Sequence, residues 1–469
     1  MNTIWNPDIT QHGGPKYRAL TDALRADVVA GVLPGGAQLP TVRDLAWRLS
    51  VTPGTVARAY QAATAEGLLK ATVGRGTFVA ERDQRADAEP SLSIEQELCD
   101  GTLDLRSPRL PEAGQTVAIT AALRRISSDL GLDWLNYTSQ DQEAPLRAAV
   151  CDWLAGRAVG PLSPDHVMLT NGGQNAIRLV FDATLTGERP VVLTEALAYP
   201  GFRYAARLAR AEVVGVAMDR EGLLPDAMEA ACKRHHPQVL CLTPQAQNPT
   251  VACMGALRRA EIVSIAQRYN LQIVEDECYA PSSPGEETLR AMAPERTWYI
   301  GSLSKSVSAA LRFGYVLCPP DRGAAARSIA THHFFALPLP LSALCLDLLR
   351  SGEADRLRAA VGVEMARRVG RVALRLGGYD LGWQAGIPFV WLRLPQGWRA
   401  SSFTRMAEDA GILLRSADQY ALIHDQVPHA VRLAIPGQTT MAELEAGLAS
   451  LTRLWPTRRL TWLFSWKIA

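Results

Sequence analysis

Residues 299–315 read YIGSLSKSVSAALRFGY. An apolar run ends there in small hydroxyl residues around a single lysine, Lys305, and Arg312 follows seven residues later. A lone lysine after a strand is usually a surface residue. Flanked by serines and followed by an arginine, it suits an aldehyde cofactor that carries a phosphate. Lys305 would form the Schiff base, while Ser302, Ser304 and Arg312 hold the phosphate.

Short apolar runs surround this stretch and alternate with helical segments such as 256–269. Their continuous apolar character predicts an α/β fold whose strands are buried on both faces and mostly parallel. Ligands of such sheets bind beyond the carboxyl ends of the strands, and polar residues cluster there in this sequence. The predicted strands are Val167–Thr170, Val191–Thr194, Val213–Met218, Val239–Thr243, Gln272–Glu275, Trp298–Ile300 and Tyr315–Leu317.

Three further motifs occur in a fixed order. They are TNGGQ at 170–174, TPQAQNPTVACMGALRR at 243–259 and LQIVEDECYA at 271–280. Together with the lysine stretch they resemble the fold type I aminotransferases, which use pyridoxal 5′-phosphate (PLP), over roughly residues 130 to 450. The resemblance implies a PLP-binding large domain followed by an α+β small domain.

The resemblance implies a role for each matching residue. Lys305 is the Schiff-base lysine, and Asp276 pairs with the pyridine nitrogen, which makes the ring an electron sink. Arg432, in HAVRLAIP, grips the α-carboxylate of an amino acid. The remaining implied cofactor contacts are Gly172, Gly173, Gln174, Ser302, Ser304 and Arg312 at the phosphate, Asn248 and Tyr279 at the phenolic oxygen, Tyr199 stacked on the ring, and Tyr137 at the partner subunit's phosphate.

Some loop positions depart from the family pattern. Gln142, Val251 and the pair Ala309-Ala310 stand where the family usually has glycine, glycine and Pro-Gly. These changes leave the implied cofactor ligands in place but alter the loops around them. We therefore expect PLP to bind, whereas efficient turnover is in doubt.

The first 80 residues have a different pattern. An amphipathic helix is predicted over Lys16–Ala30, and a second helix begins at Thr41, which is a plausible cap. Another helix starts at the Thr52-Pro53-Gly54 turn and continues to about Glu66. Two short β segments flank the turn at 72–76 and form a wing. This order of elements predicts a winged helix-turn-helix.

The string PGGAQLPTVRDLAWRLSVTPGTVARAYQAATAEGLLKATVGRGTFVA, at 34–80, resembles the GntR family of bacterial regulators. Nine basic and six acidic residues over 1–82 give the region only a modest positive charge. Helix N-termini can bind phosphates, and arginine can recognise guanine edges in double-stranded DNA. Arg58 has the alternative of a solvated helix face, and Gly76 that of a plain turn glycine. The DNA contacts implied by the family are Thr41, Arg43, Thr52, Thr55, Arg58, Arg75 and Gly76.

Composition sets the outer limits. The 469 residues, at roughly 100–200 per domain, predict several domains, and a net charge of +2 excludes a polyanion binder that is basic throughout. The eight cysteines form no CxxC pair, so we expect no metal site and no disulfide scaffold. The N-terminus lacks a secretory signal, and no apolar run is long enough for a membrane span, which predicts a cytoplasmic protein without a membrane partner.

The predicted domains are a winged helix-turn-helix at 1–80, a linker at 81–103, a PLP-binding large domain at 104–350 and a small domain at 351–469. This layout is similar to that of the MocR subfamily of GntR regulators. The subfamily implies a head-to-tail homodimer that binds a DNA operator. It also implies an amino-compound effector that displaces Lys305, forms an external aldimine and changes operator binding. The alternative is a genuine aminotransferase with an accessory DNA-binding domain.

Overall fold

The computed structural model describes residues 5–8, 15–29, 32–34, 36–65, 68–72, 76–79, 101–128, 131–279, 286–395, 397–422 and 427–454. The chain divides into two compact units, Met1–Gln96 and Glu97–Ala469. Arg75 and most of the predicted linker lie outside the described residues. The predicted boundary between the large and the small domain, at 350/351, remains a prediction.

The first unit packs three helices against a two-stranded antiparallel sheet. In this sheet Leu69 pairs with Val79 and Thr72 with Gly76. Leu20, Leu45 and Val56, one from each helix, meet in its apolar core. This is the predicted helix-turn-helix with a wing. The elements are α1 (Lys16–Val29), α2 (Val42–Arg48), α3 (Pro53–Ala65), β1 (Leu69–Thr72) and β2 (Gly76–Val79).

The second unit is built on a seven-stranded sheet with the order β4-β12-β11-β10-β9-β5-β6. Its strands are β4 (Val167–Thr170), β5 (Val191–Glu195), β6 (Glu212–Val216), β9 (Val239–Leu242), β10 (Gln272–Asp276), β11 (Thr297–Ser302) and β12 (Gly314–Leu317). β12 runs antiparallel to both of its neighbours, and the other pairings are parallel. The mostly parallel sheet predicted from the apolar runs is thus confirmed.

One predicted strand is split. The run 213–218 leaves the sheet after Val216, because Met218 turns away to pair with Leu223 in a small hairpin. The short strands of the second unit outside the main sheet are β3 (Leu103–Asp104), β7 (Met218–Asp219), β8 (Gly222–Leu223), β13 (Leu381–Gly382), β15 (Ile412–Leu413) and β16 (Arg415–Ser416).

Helices cover both faces of the seven-stranded sheet, and the strands are buried between them. The helices of this part are α4 (Gln115–Ser127), α5 (Gln140–Leu154), α6 (Gly173–Thr184), α7 (Pro200–Leu208), α8 (Pro225–His235), α9 (Ala256–Arg268), α10 (Leu289–Met292), α11 (Gly323–Phe334) and α12 (Leu339–Arg350). Among the described residues, no helix is long and apolar enough to cross a membrane.

The C-terminal part of the second unit contains a four-stranded sheet with the order β13-β14-β17-β16. Here β14 is Phe389–Arg393 and β17 is Ala430–Ala434. One apolar core joins the sheet to the helices α13 (Glu353–Leu376), α14 (Ala400–Asp409) and α15 (Met441–Arg453). β17 carries Arg432 towards Asn248, which lies in the loop after β9.

Candidate functional site

Lys305 lies directly beyond the carboxyl end of β11, in a 3-10 turn over Leu303–Lys305. The Ser302 hydroxyl donates to the Phe313 carbonyl at 2.7 Å and accepts from the Ser304 amide at 3.0 Å, so it shapes this turn. The Ser304 hydroxyl is buried and has no hydrogen-bond partner among the described residues. A buried polar atom of this kind carries a desolvation cost unless a ligand satisfies it.

The start of α6 forms a concave cradle of backbone. Gly172 caps the helix with a φ of +83°, and a Cβ at this position would lie 3.0 Å from the Arg312 guanidinium. A Cβ on Gly173 would lie 2.8 Å from the Cys278 sulfur. The site therefore needs glycine twice, because a larger residue would displace its neighbours. An open helix N-terminus beside an arginine is a phosphate-binding arrangement.

Asp276 ends β10 and pairs with Ile300 of β11, the strand that Lys305 follows. The Cys278 amide donates to its carboxylate at 3.1 Å. Burial raises the pKa of Asp276, although the hydrogen bonds from Cys278 and the charge of Lys305 act in the opposite direction. A cation facing this carboxylate would stabilise its charged form. A protonated ring nitrogen supplies such a charge.

Two tyrosines lie near these groups. The Lys305 Nζ is 5.5 Å from the ring centroid of Tyr279. Tyr199 precedes α7, and its pKa is raised by burial and by the charge of Asp276, whereas Arg312 lowers it. Tyr199, Asp276 and Arg312 are therefore within electrostatic reach of one another. The carboxyl edge of the sheet brings together residues that are far apart in the sequence.

Arg432 is buried, with 5% of its surface exposed, so it is not a surface residue. Its Nη1 donates to the Asn248 side-chain oxygen at 2.8 Å, and its Nη2 donates to the Arg106 carbonyl at 2.7 Å. Its Nε has no partner among the described residues. These bonds hold the guanidinium in one orientation and leave donor capacity for a carboxylate.

Two predicted cofactor residues are placed differently from the rest. Tyr137 is 85% exposed, and its ring stacks on Phe335 at 5.4 Å. The Gln174 side chain donates to the Gly201 carbonyl at 2.9 Å and so ties α6 to α7, while its Oε1 has no partner among the described residues. For Gln174, the backbone amide at the start of α6 remains the predicted phosphate donor.

The unusual loop positions have local explanations. Gln142 completes a capping box with Ser139 at the start of α5, which a glycine could not form. Val251 has a φ of +63°, a conformation that is strained for a β-branched residue. Ala309 and Ala310 begin a 3-10 turn that Arg312 ends at a φ of +44°. The loops around the site are thus rebuilt around non-glycine residues, and Val251 is strained.

Sequence reasoning did not assign several residues of this site. Cys278 lies against Gly173, the Arg106 carbonyl orients Arg432, and the Tyr420 hydroxyl is buried without a partner among the described residues. Cys278 stands two residues after Asp276, which could have drawn attention to it. For Arg106 and Tyr420 no local signal exists, because they approach from the distant ends of the second unit.

Together these features fit PLP. The cradle and Arg312 suit the phosphate, Asp276 suits a ring cation, Lys305 suits the aldehyde, and the unpartnered Ser304 hydroxyl lies within the same turn. A metal is not needed for any of these interactions.

In the first unit, the predicted DNA-contact residues lie at the starts of two helices. Thr41 caps α2 by accepting from the Asp44 amide at 3.2 Å, and Thr52 accepts from the Thr55 amide at 3.3 Å at the start of α3. Arg43 is exposed on the first turn of α2. Arg58 is exposed, and its guanidinium carbon lies 4.1 Å from the Tyr17 ring centroid, so it contacts α1 from α3.

At Gly76 the backbone has a φ of +112°, and a Cβ would lie 2.9 Å from the Gln38 side chain. The turn requirement expected for this glycine is therefore present. Its role in DNA contact remains a prediction, and Arg75 lies outside the described residues.

Known proteins share both parts of the chain. The family profile "Aminotransferase class I and II" matches residues 102–451, and the profile "Bacterial regulatory proteins, gntR family" matches residues 16–79. The HTH-type transcriptional regulator YdeF of Bacillus subtilis is 29% identical over 454 residues, which are 96% of each chain. The probable rhizopine catabolism regulatory protein MocR of Rhizobium meliloti is 27% identical over 363 residues, 72% of each chain.

Among solved structures, LysN, the α-aminoadipate aminotransferase of Thermus thermophilus, superposes with a TM-score of 0.68 at 26% identity. The match covers 79% of this chain and 96% of LysN. The LysN structure is a complex with N-(5′-phosphopyridoxyl)-L-leucine. The predicted fold and the PLP cofactor are thereby confirmed, as is the combination of a GntR-type domain with an aminotransferase domain.

Proposed function

The chain belongs to the class I and II aminotransferase family and carries a GntR-type helix-turn-helix domain, and we propose on that premise that it is a PLP-dependent transcriptional regulator. An amino-compound effector binds at the carboxyl edge of the seven-stranded sheet and changes the affinity of the protein for its DNA operator. The observation that carries this proposal is the presence in one chain of a helix-turn-helix and a PLP-binding constellation.

When it is bound, PLP supplies an electrophilic carbonyl carbon and an electron-withdrawing ring. The residues of this chain determine what reaches that carbon. Lys305 would hold the cofactor through its amine, at the position that the amine of the effector would have to reach. Asp276 stabilises the positive charge of the ring nitrogen. Arg432, held by Asn248 and the Arg106 carbonyl, orients the carboxylate of the effector.

Regulation requires that the effector bind one conformation of the protein more tightly than another. Arg432 lies on β17, whereas Lys305 follows β11 of the larger sheet. A ligand held at both ends therefore bridges the two sheets of the second unit. We propose that this bridging selects a conformation that places the DNA-binding units differently.

We further propose that the protein acts as a homodimer. The exposed ring of Tyr137 would then reach the cofactor phosphate of the partner subunit, as the family resemblance implies. On the DNA side we propose that Thr41, Arg43, Thr52, Thr55, Arg58, Arg75 and Gly76 contact the operator. The amides at the starts of α2 and α3 would bind phosphates.

The experiment measures the DNA affinity of the full-length, PLP-loaded protein, using duplexes selected from a random pool. Adding primary amines one at a time should change the affinity for one class of amine. Arg43→Ala should weaken binding across sequences and lower the salt dependence, since one phosphate contact is lost. Arg25→Ala is the matched control, because Arg25 pairs with Asp22 on α1.

The aminotransferase alternative is favoured by one observation, namely that Lys305, Asp276 and Arg432 are all present at the site. Turnover should then fall in the range of about 1–10³ per second that is typical of enzymes. We expect it to be absent or far slower, given the strained Val251 and the rebuilt loops. Rapid multiple turnover without any effect of the amine on DNA affinity would show that the protein is an enzyme and not a regulator.

A further inference from the structure

Two arginines face each other on neighbouring strands at the effector end of the site. Arg415 of β16 is the direct register partner of Arg432 on β17. Like charges that lie directly opposite each other destabilise an antiparallel pair. Arg415 Nε and Arg432 Nη2 even donate to the same acceptor, the Arg106 carbonyl, at 3.0 and 2.7 Å. The fold thus brings two cations together.

Nothing in the described part of the chain neutralises this pair. Neither Arg415 nor Arg432 has a carboxylate within ion-pair distance among the described residues. The Arg415 Nη1 donates to the neutral Gln419 side-chain oxygen at 2.9 Å, which leaves its Nη2 as a donor. The charge of the nearby Asp104 raises the pKa of Arg415, but its carboxylate already accepts hydrogen bonds from the Arg106 side chain at 2.9 and 3.2 Å. Burial and the charges of Arg432 and Arg106 lower the pKa of Arg415. Neither arginine therefore has a carboxylate partner of its own in the described part of the chain.

A third donor lies beside the two arginines. Tyr420 is 3% exposed, and its hydroxyl has no hydrogen-bond partner among the described residues. Its ring centroid is 5.1 Å from the Arg432 guanidinium carbon. Burial raises the pKa of its hydroxyl, and the charges of Arg432 and Arg415 act in the opposite direction. An unpartnered buried hydroxyl near two arginines that lack a carboxylate partner is a site for oxyanions.

We propose that the effector is an amino dicarboxylic acid, with its α-carboxylate on Arg432 and its second carboxylate on Arg415 and the Tyr420 hydroxyl. This inference rests on the proposed function, because it names the class of ligand that the same site takes. One carboxylate would leave a positive charge uncompensated, whereas two carboxylates balance the arginine pair. Arg415 and Tyr420 are specificity-determining residues in this arrangement.

The test compares ligands of matched carbon number on the PLP-loaded, full-length protein. The pairs are L-aspartate with L-2-aminobutyrate, L-glutamate with L-norvaline, and L-2-aminoadipate with L-norleucine. The readout is the concentration that half-saturates the change in the visible absorption of the cofactor. In at least one pair, the dicarboxylate should half-saturate the change at about a ten-fold lower concentration than the monocarboxylate. A hydrogen bond to a charged group contributes enough binding free energy for a factor of this size.

Arg415→Gln should bring the ratio within that pair close to one, and Tyr420→Phe should reduce it partially. Arg393→Gln is the control, because Arg393 lies on β14 and pairs with Asp380; it should leave the ratio unchanged. If Arg415→Gln does not fold, Arg415→Lys and Tyr420→Phe test the inference in its place. Both variants should lower the preference for the dicarboxylate.

The inference is overturned if the wild-type protein shows no preference for dicarboxylates, or if the preference survives in Arg415→Gln. A response to amines without that preference defeats this inference alone. If no amine changes the absorption of the cofactor, both this inference and the proposed sensing function are wrong. A dicarboxylate preference without any effect on DNA affinity supports the subsite and contradicts the regulatory role.

Discussion

The two edges of the seven-stranded sheet carry polar residues of very different kinds. At the amino-terminal edge, a pocket of about 390 Å³ is lined by residues that include Thr186, Gln238 and Gln272. There, the Gln238 amide exchanges two hydrogen bonds of 2.8 Å with the Thr186 backbone, and Gln272 accepts from the Trp298 indole at 2.9 Å. The structure itself satisfies these groups.

At the carboxyl-terminal edge, the Ser304 hydroxyl and the Arg432 Nε are buried without partners among the described residues, and burial raises the pKa of Asp276. Unpaired buried polar groups cost stability, and a phosphate and a carboxylate bound at this edge would satisfy these two. The difference teaches that a cavity at one edge of the sheet is by itself no sign of function. The unmet bonding capacity of the residues around it is more informative.

The largest effect is expected for Lys305→Ala. If the carboxyl-terminal edge holds PLP covalently, this variant should lose the visible absorption band and yield no borohydride-fixed adduct. Among the described residues of the second unit, the one other lysine is Lys233, which pairs with Glu229 on α8. The measurement is absorbance followed by peptide mass spectrometry. An adduct that forms at another lysine would contradict the placement of the site.

Arg432→Ala tests whether the carboxyl-terminal edge binds the effector separately from the cofactor. It removes the guanidinium that Asn248 and the Arg106 carbonyl orient, so a carboxylate effector should bind about a hundred-fold more weakly, or ~3 kcal/mol. PLP should stay bound, since the implied role of Arg432 is to contact the effector. Titration of the cofactor absorption checks both points. Loss of PLP together with the effector response would show that Arg432 supports the cofactor site instead.

Glu195, at the carboxyl end of β5, predicts a pH effect on stability. Burial raises its pKa from 4.5 to about 8, and the Gln247 amide donates to it at 3.1 Å. The folded state thus binds a proton that the unfolded state releases. The stabilisation is fully present below pH 4.5 and is lost as the pH rises through 8, by up to a few kcal/mol in total.

Denaturant unfolding between pH 5 and pH 8.5 measures this effect. The wild-type protein should lose stability relative to Glu195→Gln, because the amide keeps the neutral form and can still accept from Gln247. Parallel curves for the two proteins would mean that Glu195 is ionised in the folded state.

The smallest effect is expected at the amino-terminal edge. Gln238→Ala removes the bonds to Thr186 and should cost about 1 kcal/mol of unfolding free energy. PLP content and the effector response should not change, because the pocket at this edge is predicted to bind neither. The check is a thermal melt combined with the same absorption titration. A changed effector response would show that the amino-terminal edge also takes part in ligand binding.

Much of this protein follows from the sequence by itself. The apolar runs determined the strands because burial on both faces requires uninterrupted apolar residues. The order of the motifs placed Lys305, Asp276 and Asn248 at one edge, since parallel strands share their carboxyl ends. In the first unit, the cap at Thr41 and the wing were also readable, because capping and turn formation depend on neighbouring residues.

Only the tertiary structure decided which residues complete the site. Arg106 precedes Arg415 by 309 residues, and no local pattern marks Arg106, Arg415 or Tyr420. Their meeting depends on the register of β16 with β17 and on the path of the chain before α4. Burial and charge balance are properties of the packed molecule, so the pairing of Arg415 with Arg432, unlike Lys305, could not be read from the sequence.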